Sequence, residues 1–90
     1  MTLELIQTNA YRRDIRKLVR QGKNLEELYT VLEMLVMEQP LPVKYRDHVL
    51  TGNWRGRREC HIRPDWLLIY KIEEQTLYLE RSGSHSELFS

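Results

Sequence analysis

The chain has 90 residues, of which 41% are hydrophobic and 30% are charged, and its formal net charge is +1. This length supports one hydrophobic core, so we expect a single domain over residues 1–90. No apolar run approaches the roughly 18 residues of a membrane span, and the N-terminus does not have the pattern of a secretory signal. A single cysteine excludes an internal disulfide and a cysteine-based zinc site, and we expect a soluble protein of the cytoplasm.

Positive charge is concentrated in two segments of this nearly neutral chain. Residues 11–23 carry six basic residues, and residues 44–63 carry six more. The balancing acids lie mainly in residues 24–39 and 64–90. Two basic segments predict a localised positive surface of the kind that binds a polyanion, although the first could be a merely solvated helix face.

The first half of the chain predicts a short strand followed by two helices. Residues 2–7 alternate weakly as a strand, and Thr8 or Asn9 can cap the helix that follows. The apolar stripe of this helix comprises Tyr11, Ile15, Leu18 and Val19. Gly22 is placed to end it, and Asn24 with Glu27 forms an approximate capping box for a second helix that stops before Pro40. The short connection predicts an antiparallel helical hairpin.

The second half predicts antiparallel strands around one apolar segment. We expect strands at residues 48–50, 54–62, 66–73 and 76–82. Trp66–Glu73 is rich in apolar and aromatic residues, which predicts a strand buried at the centre of the sheet, with the preceding strand as its antiparallel neighbour. Glu74-Gln75 is a plausible hairpin turn. The predicted class is therefore α+β, with an N-terminal strand and a helical hairpin packed on a small, mainly antiparallel sheet of four or five strands.

The strand before the central one places several polar residues on one face. Arg57, Glu59, His61 and Arg63 share one parity, so the period of two of a strand directs them to the same side. Cys60 has the opposite parity. We therefore expect a buried structural thiol rather than a nucleophile activated by His61.

The ionisable residues of this half suit cleavage of RNA through its own 2′-hydroxyl. That reaction needs a base, an acid, and positive charge near the phosphate, and histidine transfers protons near neutral pH. The candidates are His48, His61, Asp65 and His85, with Arg57, Arg63 and Arg81 as cations. Each histidine, taken singly, could instead be structural or solvated. Trp54 and Trp66 could stack on bases, although Trp66 equally suits the core.

A metal site is the competing use of His48, His61 and Asp65. No pair of histidines has the spacing that places two ligands on one helix face. His61 and Asp65 lie four residues apart, but Pro64 between them is not helical. We therefore expect no metal ion and no other cofactor.

A series of short motifs runs through residues 45–89. The motifs are Tyr45-Arg46-Asp47-His48, then Leu50, Gly52, Trp54, Gly56 and Arg58, then His61-Ile62, Pro64-Asp65-Trp66 and Leu68-Ile69-Tyr70, and finally Glu80 to His85 with Leu88-Phe89. In this order they resemble the YafQ family of bacterial toxins, within the RelE/ParE superfamily. The N-terminal helical pattern extends the resemblance over essentially the whole chain.

The resemblance implies an endoribonuclease that cleaves messenger RNA in the ribosomal decoding site. Its catalytic positions match His48, His61, Asp65 and His85, and its C-terminal aromatic residue matches Phe89. By this analogy His85 donates a proton to the leaving 5′-oxygen, and His48 or Asp65 acts as the base or orients it. His61 positions the phosphate. Substrate contacts are expected from Arg57, Arg63, Arg81, Trp66 and Phe89.

The resemblance also implies partners. A cognate acidic antitoxin of the DinJ type would hold the toxin inactive and fold on its basic surfaces, and operator DNA would be bound only through the antitoxin complex. The rival function is a non-catalytic member of the superfamily, which binds a protein target such as gyrase or serves as antitoxin partner and co-repressor. A small basic nucleic-acid-binding domain is a second rival. The set of three histidines with Asp65 favours the enzyme.

Overall fold

The computed structural model describes residues 2–89, which form a sheet of five strands and three α-helices. In chain order the elements are β1 (Glu4–Gln7), α1 (Asn9–Arg20), α2 (Glu26–Val36), β2 (His48–Val49), β3 (Arg58–Arg63), β4 (Trp66–Glu73), β5 (Thr76–Gly83) and α3 (His85–Phe89). Two short 3-10 turns, Val43–Tyr45 and Gly52–Trp54, flank β2. None of the helices within residues 2–89 combines the length and apolarity that a bilayer crossing needs.

The strand order across the sheet is β1-β5-β4-β3-β2, with β4 at the centre. The prediction of Trp66–Glu73 as the central strand, with the histidine-bearing strand as its antiparallel neighbour, is confirmed. One edge differs from the antiparallel remainder, because β1 pairs with β5 in parallel. The α+β class is confirmed, and the sheet is mixed.

The helices begin and end largely where the sequence places them. Thr8 caps α1 by accepting a hydrogen bond from the backbone N–H of Tyr11 at 3.0 Å, and Gly22 adopts a left-handed φ of +80° just past its end. Val19 is 56% exposed, so its predicted place on the apolar stripe is wrong. The predicted capping box is wrong as well. Asn24 accepts from the backbone N–H of Glu26, whereas the Glu27 carboxylate accepts from the hydroxyl of Tyr45.

One face of the sheet, which we call the core face, packs against α1 and α2. Its strand residues alternate with those of the other face and include Cys60, Ile62, Trp66, Leu68, Tyr70, Leu77 and Leu79, all nearly inaccessible to solvent. Cys60 lies here, on the side opposite to His61, as its parity predicts. Burial raises the pKa of the Cys60 thiol to about 12, which excludes a reactive thiolate at neutral pH.

Two segments differ from the sequence-based expectation. The strand predicted from Trp54 begins only at Arg58, because Gly52–Trp54 forms a 3-10 turn and Gly56 takes a φ of +89°. No helix was predicted after the last strand, but His85–Phe89 form the single-turn helix α3. The hairpin at Glu74-Gln75 is confirmed, and both residues adopt the left-handed φ values that a tight turn between twisted strands requires.

Candidate active site on the open face of the sheet

The face of the sheet opposite to α1 and α2, called here the open face, gathers the ionisable residues. Strand pairing sets Glu59 opposite both His48 on β2 and Ile69 on β4, and sets His61 opposite Leu67. Directly opposed residues point to the same side of a sheet. Two short rows therefore cross the open face, one through His48, Glu59 and Ile69 and the other through His61 and Leu67.

A buried carboxylate lies between two histidines in these rows. Glu59 is only 6% exposed, and its Oε2 atom lies 3.3 Å from Nε2 of His48 and 3.6 Å from Nε2 of His61. The two imidazole rings have centroids 6.3 Å apart. Glu59 is therefore the shared anionic partner of both rings.

The backbone holds each ring from its other nitrogen. Nδ1 of His48 lies 2.8 Å from the carbonyl oxygen of Arg46, and Nδ1 of His61 lies 3.4 Å from that of Pro64. A carbonyl oxygen only accepts, so each Nδ1 carries the hydrogen. In a neutral ring Nε2 would then present a lone pair to the carboxylate of Glu59. The lone pair and the carboxylate repel each other. A proton on one Nε2 would remove this repulsion and make that ring an imidazolium, so the arrangement is suited to proton transfer.

The segment before His48 is fixed by a second, partly buried network. Asp47 accepts hydrogen bonds from the hydroxyl of Tyr70 at 2.5 Å and from Nη2 of Arg58 at 3.0 Å. Burial, followed by the hydrogen bond to Asp47, raises the pKa of the Tyr70 hydroxyl, which therefore remains a donor. Arg46 adopts a left-handed φ of 51°, and this conformation directs its carbonyl oxygen to His48. The short strand β2 thus presents His48 in a defined orientation.

The helix α3 brings His85 to the same side of the sheet. Leu88 of α3 packs with Leu67 and Ile69, and the ring of Phe89 lies edge-on to that of Trp54 at 6.1 Å between centroids. The rings of His85 and Phe89 are 4.8 Å apart. Phe89 is 36% exposed and borders open solvent beside His85, where a nucleobase would have room to stack.

A capping box fixes the start of α3. The side chain of Glu87 accepts from the backbone N–H and the hydroxyl of Ser84, both at 2.9 Å, while the Ser84 hydroxyl accepts from the N–H of Glu87. Glu87 also pairs with Lys17 of α1 at 2.5 Å. The Lys17 contact and the bonds from Ser84 lower the pKa of the Glu87 carboxyl to about 2. Asp65 adds a long contact of 3.5 Å from its carboxylate to the backbone N–H of His85.

The family model for the bacterial toxin of the type II toxin-antitoxin system, YafQ, matches residues 3–90. The chain belongs to the YafQ family. An mRNA interferase toxin YafQ of Escherichia coli K12 is 39% identical over 80 residues, which cover 88% of this chain and 87% of the relative.

Solved structures of YafQ-family toxins and their relatives have the same fold. The chain in the E. coli DinJ-YafQ toxin-antitoxin complex superimposes with a TM-score of 0.92 at 34% identity, with 100% of both chains covered. A copper-bound mutant toxin from Helicobacter pylori gives a TM-score of 0.94 at 40% identity, with 97% of this chain and 99% of that chain covered.

The YafQ-like fold brings some of the predicted site residues together. His48 and His61 share Glu59, while His85, Phe89 and Asp65 meet at α3. The backbone links the two groups, because β4 and β5 pairing continues the row from His61 through Leu67 to Gly83, two residues before His85. Each step across a sheet is about 4.8 Å. The two groups therefore border one region of the open face.

The predicted cations of this YafQ-family chain are unequally available. Arg63 is exposed and lies 3.7 Å from Glu27, and Arg57 lies 3.8 Å from Glu80 beside the ring of Trp54. Nε of Arg57 is buried and has no hydrogen-bond partner within the described residues. Arg81 is committed to α1, because its Nε and Nη2 atoms bind the two carboxylate oxygens of Asp14 at 2.7 and 3.1 Å. A phosphate would have to approach Arg81 from the other edge of its guanidinium group.

The predicted substrate contact of Trp66 is wrong. Trp66 is 5% exposed on the core face, and its indole N–H donates to the hydroxyl of Ser82 at 2.9 Å. Ser82 in turn donates to the backbone carbonyl of Leu67 at 2.9 Å. A ring packed on both sides and hydrogen-bonded internally has no face for a nucleobase, so Trp66 is a core residue.

One contact and one residue of the site were not predicted from the sequence. The parity of β3 placed Glu59 on the same face as His61, but its contact with His48 depends on the register between β2 and β3. Glu87 follows Ser84 by three residues, the signature of a capping box, and this signal could have predicted α3.

Proposed function

We propose that the whole chain, residues 1–90, acts as one toxin domain of a type II module and cleaves messenger RNA in the ribosomal decoding site. Membership of the YafQ family and the name mRNA interferase carried by its E. coli relative support the endoribonuclease activity. The observation that carries the mechanism is the buried carboxylate of Glu59 between Nε2 of His48 and Nε2 of His61. This arrangement brings two imidazole nitrogens to one carboxylate beside an exposed surface.

The proposed reaction is a transesterification within the RNA strand. The 2′-oxygen attacks the adjacent phosphorus as its proton passes to His48, and the bond from phosphorus to the 5′-oxygen breaks as His85 gives that oxygen a proton. The products are a 2′,3′-cyclic phosphate and a 5′-hydroxyl end. Asp65 orients His85 through the backbone of α3, although the geometry leaves Asp65 as an alternative base.

Positive charge near the phosphate comes from the remaining groups of the site. An imidazolium at His61, held beside the Glu59 carboxylate, would stabilise the pentacovalent phosphate as its charge develops. Arg57 supplies a second cation. Arg81 contributes through the edge not bound by Asp14, and Phe89 offers a partly exposed ring for stacking on a base.

We also propose the partners of this toxin. A cognate antitoxin of the DinJ type inhibits it, as the DinJ-YafQ complex from E. coli suggests by its composition. The exposed basic residues of α1, including Arg12, Arg13 and Arg16, are complementary in charge to an acidic antitoxin. Operator DNA is bound only through that complex, and the toxin acts in the cytoplasm, where its ribosomal substrate is found.

The proposal is tested by expressing the wild type, His85→Ala and Ser86→Ala from a tight inducible promoter. Ser86 is the exposed neighbour of His85 on α3 and serves as the matched control. We expect wild type and Ser86→Ala to arrest growth with new in-frame 5′ ends in transcripts, and His85→Ala, while folded, to do neither. Growth arrest by all three proteins without cleavage would contradict catalysis and favour binding of a protein target.

A second experiment tests whether the chemistry is independent of metal. Imidazole and carboxylate are ligand types that copper accepts, and a copper-bound relative is known from H. pylori. Within residues 2–89 no group of three such side chains is arranged to hold an ion. We expect cleavage by purified toxin on ribosomes to survive a chelator selective for transition metals, with Mg²⁺ kept constant. Loss of cleavage that copper restores would contradict the metal-independent mechanism.

A further inference from the structure

A basic cleft adjoins the candidate active site at the turn between β3 and β4. It has a volume of about 260 Å³, and His61 forms part of its wall. The charged and hydroxyl-bearing residues that line it are Glu27, Lys44, Tyr45, Arg46 and Arg63. Three cations thus face one carboxylate, and the cleft has a net positive charge before any ligand enters.

The cations of the cleft remain accessible to a ligand. The side chains of Lys44 and Arg63 are 69% and 66% exposed, and their nitrogen atoms lie 3.8 and 3.7 Å from Glu27. Contacts this long, each made by an exposed cation, contribute little to stability. A phosphate could therefore replace Glu27 as the partner of either cation at small cost.

Glu27 has a partner of its own. Its carboxylate accepts a hydrogen bond from the hydroxyl of Tyr45, and this bond, with the nearby charges of Lys44 and Arg63, lowers the pKa of Glu27. Glu27 therefore stays ionised at neutral pH. It is fixed by Tyr45 as a single negative charge between two exposed cations, where it would compete with an incoming anion.

We propose that this cleft is a second phosphate subsite, which binds a backbone phosphate of the RNA strand next to the one that is cleaved. The inference deepens the proposed ribonuclease function and rests on it. Its basis is His61, which both lines the cleft and contacts Glu59 of the histidine cluster on the open face. Arg63 offers a planar fork that matches two phosphate oxygens, and Lys44 supplies a compact charge. Glu27 lowers the affinity of the subsite by electrostatic competition.

The first test measures binding of a fluorescent 2′-O-methyl uridine dodecamer, which cannot be cleaved because its 2′-oxygen is blocked. Lys44→Ala is compared with Lys71→Ala. Each lysine lies over a tyrosine ring, at 5.1 Å for Lys44 on Tyr45 and 5.0 Å for Lys71 on Tyr78. Lys71 is five residues along β4 from Trp66, or about 16 Å from the cleft end of that strand. The two lysines carry the same charge and make the same kind of contact with a tyrosine ring, but of the two only Lys44 lines the cleft.

The slope of log affinity against log salt concentration gives the number of phosphate contacts. We expect Lys44→Ala and Arg63→Ala each to reduce the slope by about 0.7, the value for one phosphate contact on a single strand. Lys71→Ala should keep the wild-type slope. Equal slopes for all four proteins, or no measurable binding by the wild type, would overturn the subsite.

Glu27→Gln provides a test in the opposite direction. The glutamine amide can still accept from Tyr45, so the local hydrogen bond is kept while the competing charge is removed. We expect tighter binding of the dodecamer than wild type, by about threefold or more at low salt. If Glu27 only holds Tyr45 in place, affinity would stay unchanged or fall, and the subsite would be contradicted.

A further pair of measurements identifies the source of the phosphate and separates this inference from the proposed function. Binding to vacant ribosomes and to ribosomes carrying messenger RNA is compared for wild type and Lys44→Ala. Weaker binding of Lys44→Ala only to ribosomes that carry messenger RNA supports messenger RNA as the source of the phosphate. Equally weakened binding to both kinds of ribosome assigns the phosphate to ribosomal RNA and overturns the subsite as stated.

If wild type cleaves transcripts but Lys44→Ala behaves as Lys71→Ala throughout, the cleft inference fails alone. If wild type does not cleave, the proposed function fails.

Discussion

The two faces of the sheet satisfy their polar groups in different ways. On the core face the indole of Trp66 donates to Ser82 and Ser82 donates to the carbonyl of Leu67, so the chain of hydrogen bonds is closed within the protein. On the open face Glu59 shares its carboxylate between His48 and His61, at 3.3 and 3.6 Å. These contacts are long enough to be exchanged when a substrate arrives.

The difference between the two faces predicts which substitutions should affect stability and which should affect activity. A closed network in a dry core contributes to folding, because a buried polar group that loses its partner costs about 1–3 kcal/mol. We expect substitutions in the open network beside solvent to affect activity instead, because its groups can exchange partners with a substrate. The next three predictions test whether the two faces are separated in this way, from the largest expected effect to the smallest.

Of the three predictions, Glu59→Gln should cause the largest loss of cleavage. The glutamine keeps the shape of the side chain but removes the charge that stabilises an imidazolium at His48 or His61, so we expect a loss of roughly 10- to 100-fold in kcat. The Tm should remain close to that of the wild type. Single-turnover cleavage as a function of pH is the measurement, and the pH–rate profile should change shape, which a purely structural role would not cause.

Glu73→Gln is the matched control for this experiment. Glu73 is an exposed glutamate at the far end of β4, and the same loss of charge there should leave the profile unaltered. The separation of the two faces would be contradicted if Glu59→Gln lost stability and kept full cleavage. That outcome would make Glu59 part of the folding core.

The strand alternation was the part of the site that the sequence could predict. It placed Cys60 and His61 on opposite faces, because the period of two is a local property of the chain, and the continuous apolar run from Trp66 to Tyr70 separately identified the central strand. Thr8 was one of the two candidate caps for the same reason, since a cap acts within three residues. Local geometry and local chemistry can be predicted from local sequence.

Contacts that depend on tertiary registration could not be predicted in the same way. The pairing of β1 with β5 joins residues about 70 apart in sequence, and no local pattern distinguishes a parallel from an antiparallel partner. The ion pair between Arg81 and Asp14 joins residues 67 apart in sequence, so no local pattern indicates that the charge of Arg81 is paired. A helix as short as α3 is unstable alone and forms here through Leu88 and Glu87.

Trp66→Phe and Phe89→Ala test the assignment of the two aromatic residues to different faces. Trp66→Phe removes the hydrogen bond to Ser82 and should lower the free energy of unfolding by about 1–2 kcal/mol while cleavage by the folded enzyme is kept. Phe89→Ala, at a 36% exposed position, should raise KM with a smaller change in stability. Urea denaturation and cleavage kinetics measure the two effects. A raised KM for Trp66→Phe at unchanged stability would restore Trp66 as a base-stacking residue.

The smallest expected effect concerns the attachment of α3 to α1, which sets the position of His85 on the open face. Because the folded-state pKa of Glu87 is lowered from 4.5 to about 2, the stabilisation by its contacts is complete above pH 4.5 and is lost as the pH falls towards 2. We expect it to be on the order of 1 kcal/mol, since solvent screens a surface pair, and roughly to halve by pH 3.

Glu87→Gln isolates this contribution, because glutamine can keep the capping box with Ser84 but cannot form the ion pair with Lys17. Trp54 reports on α3 through its contact with Phe89, and its fluorescence can be followed alone in a Trp66→Phe background. The difference in unfolding free energy between wild type and Glu87→Gln should be present at pH 6 and shrink at pH 3. A difference that stays constant between these pH values would show that α3 is held by Leu88 and the capping box, without help from Lys17.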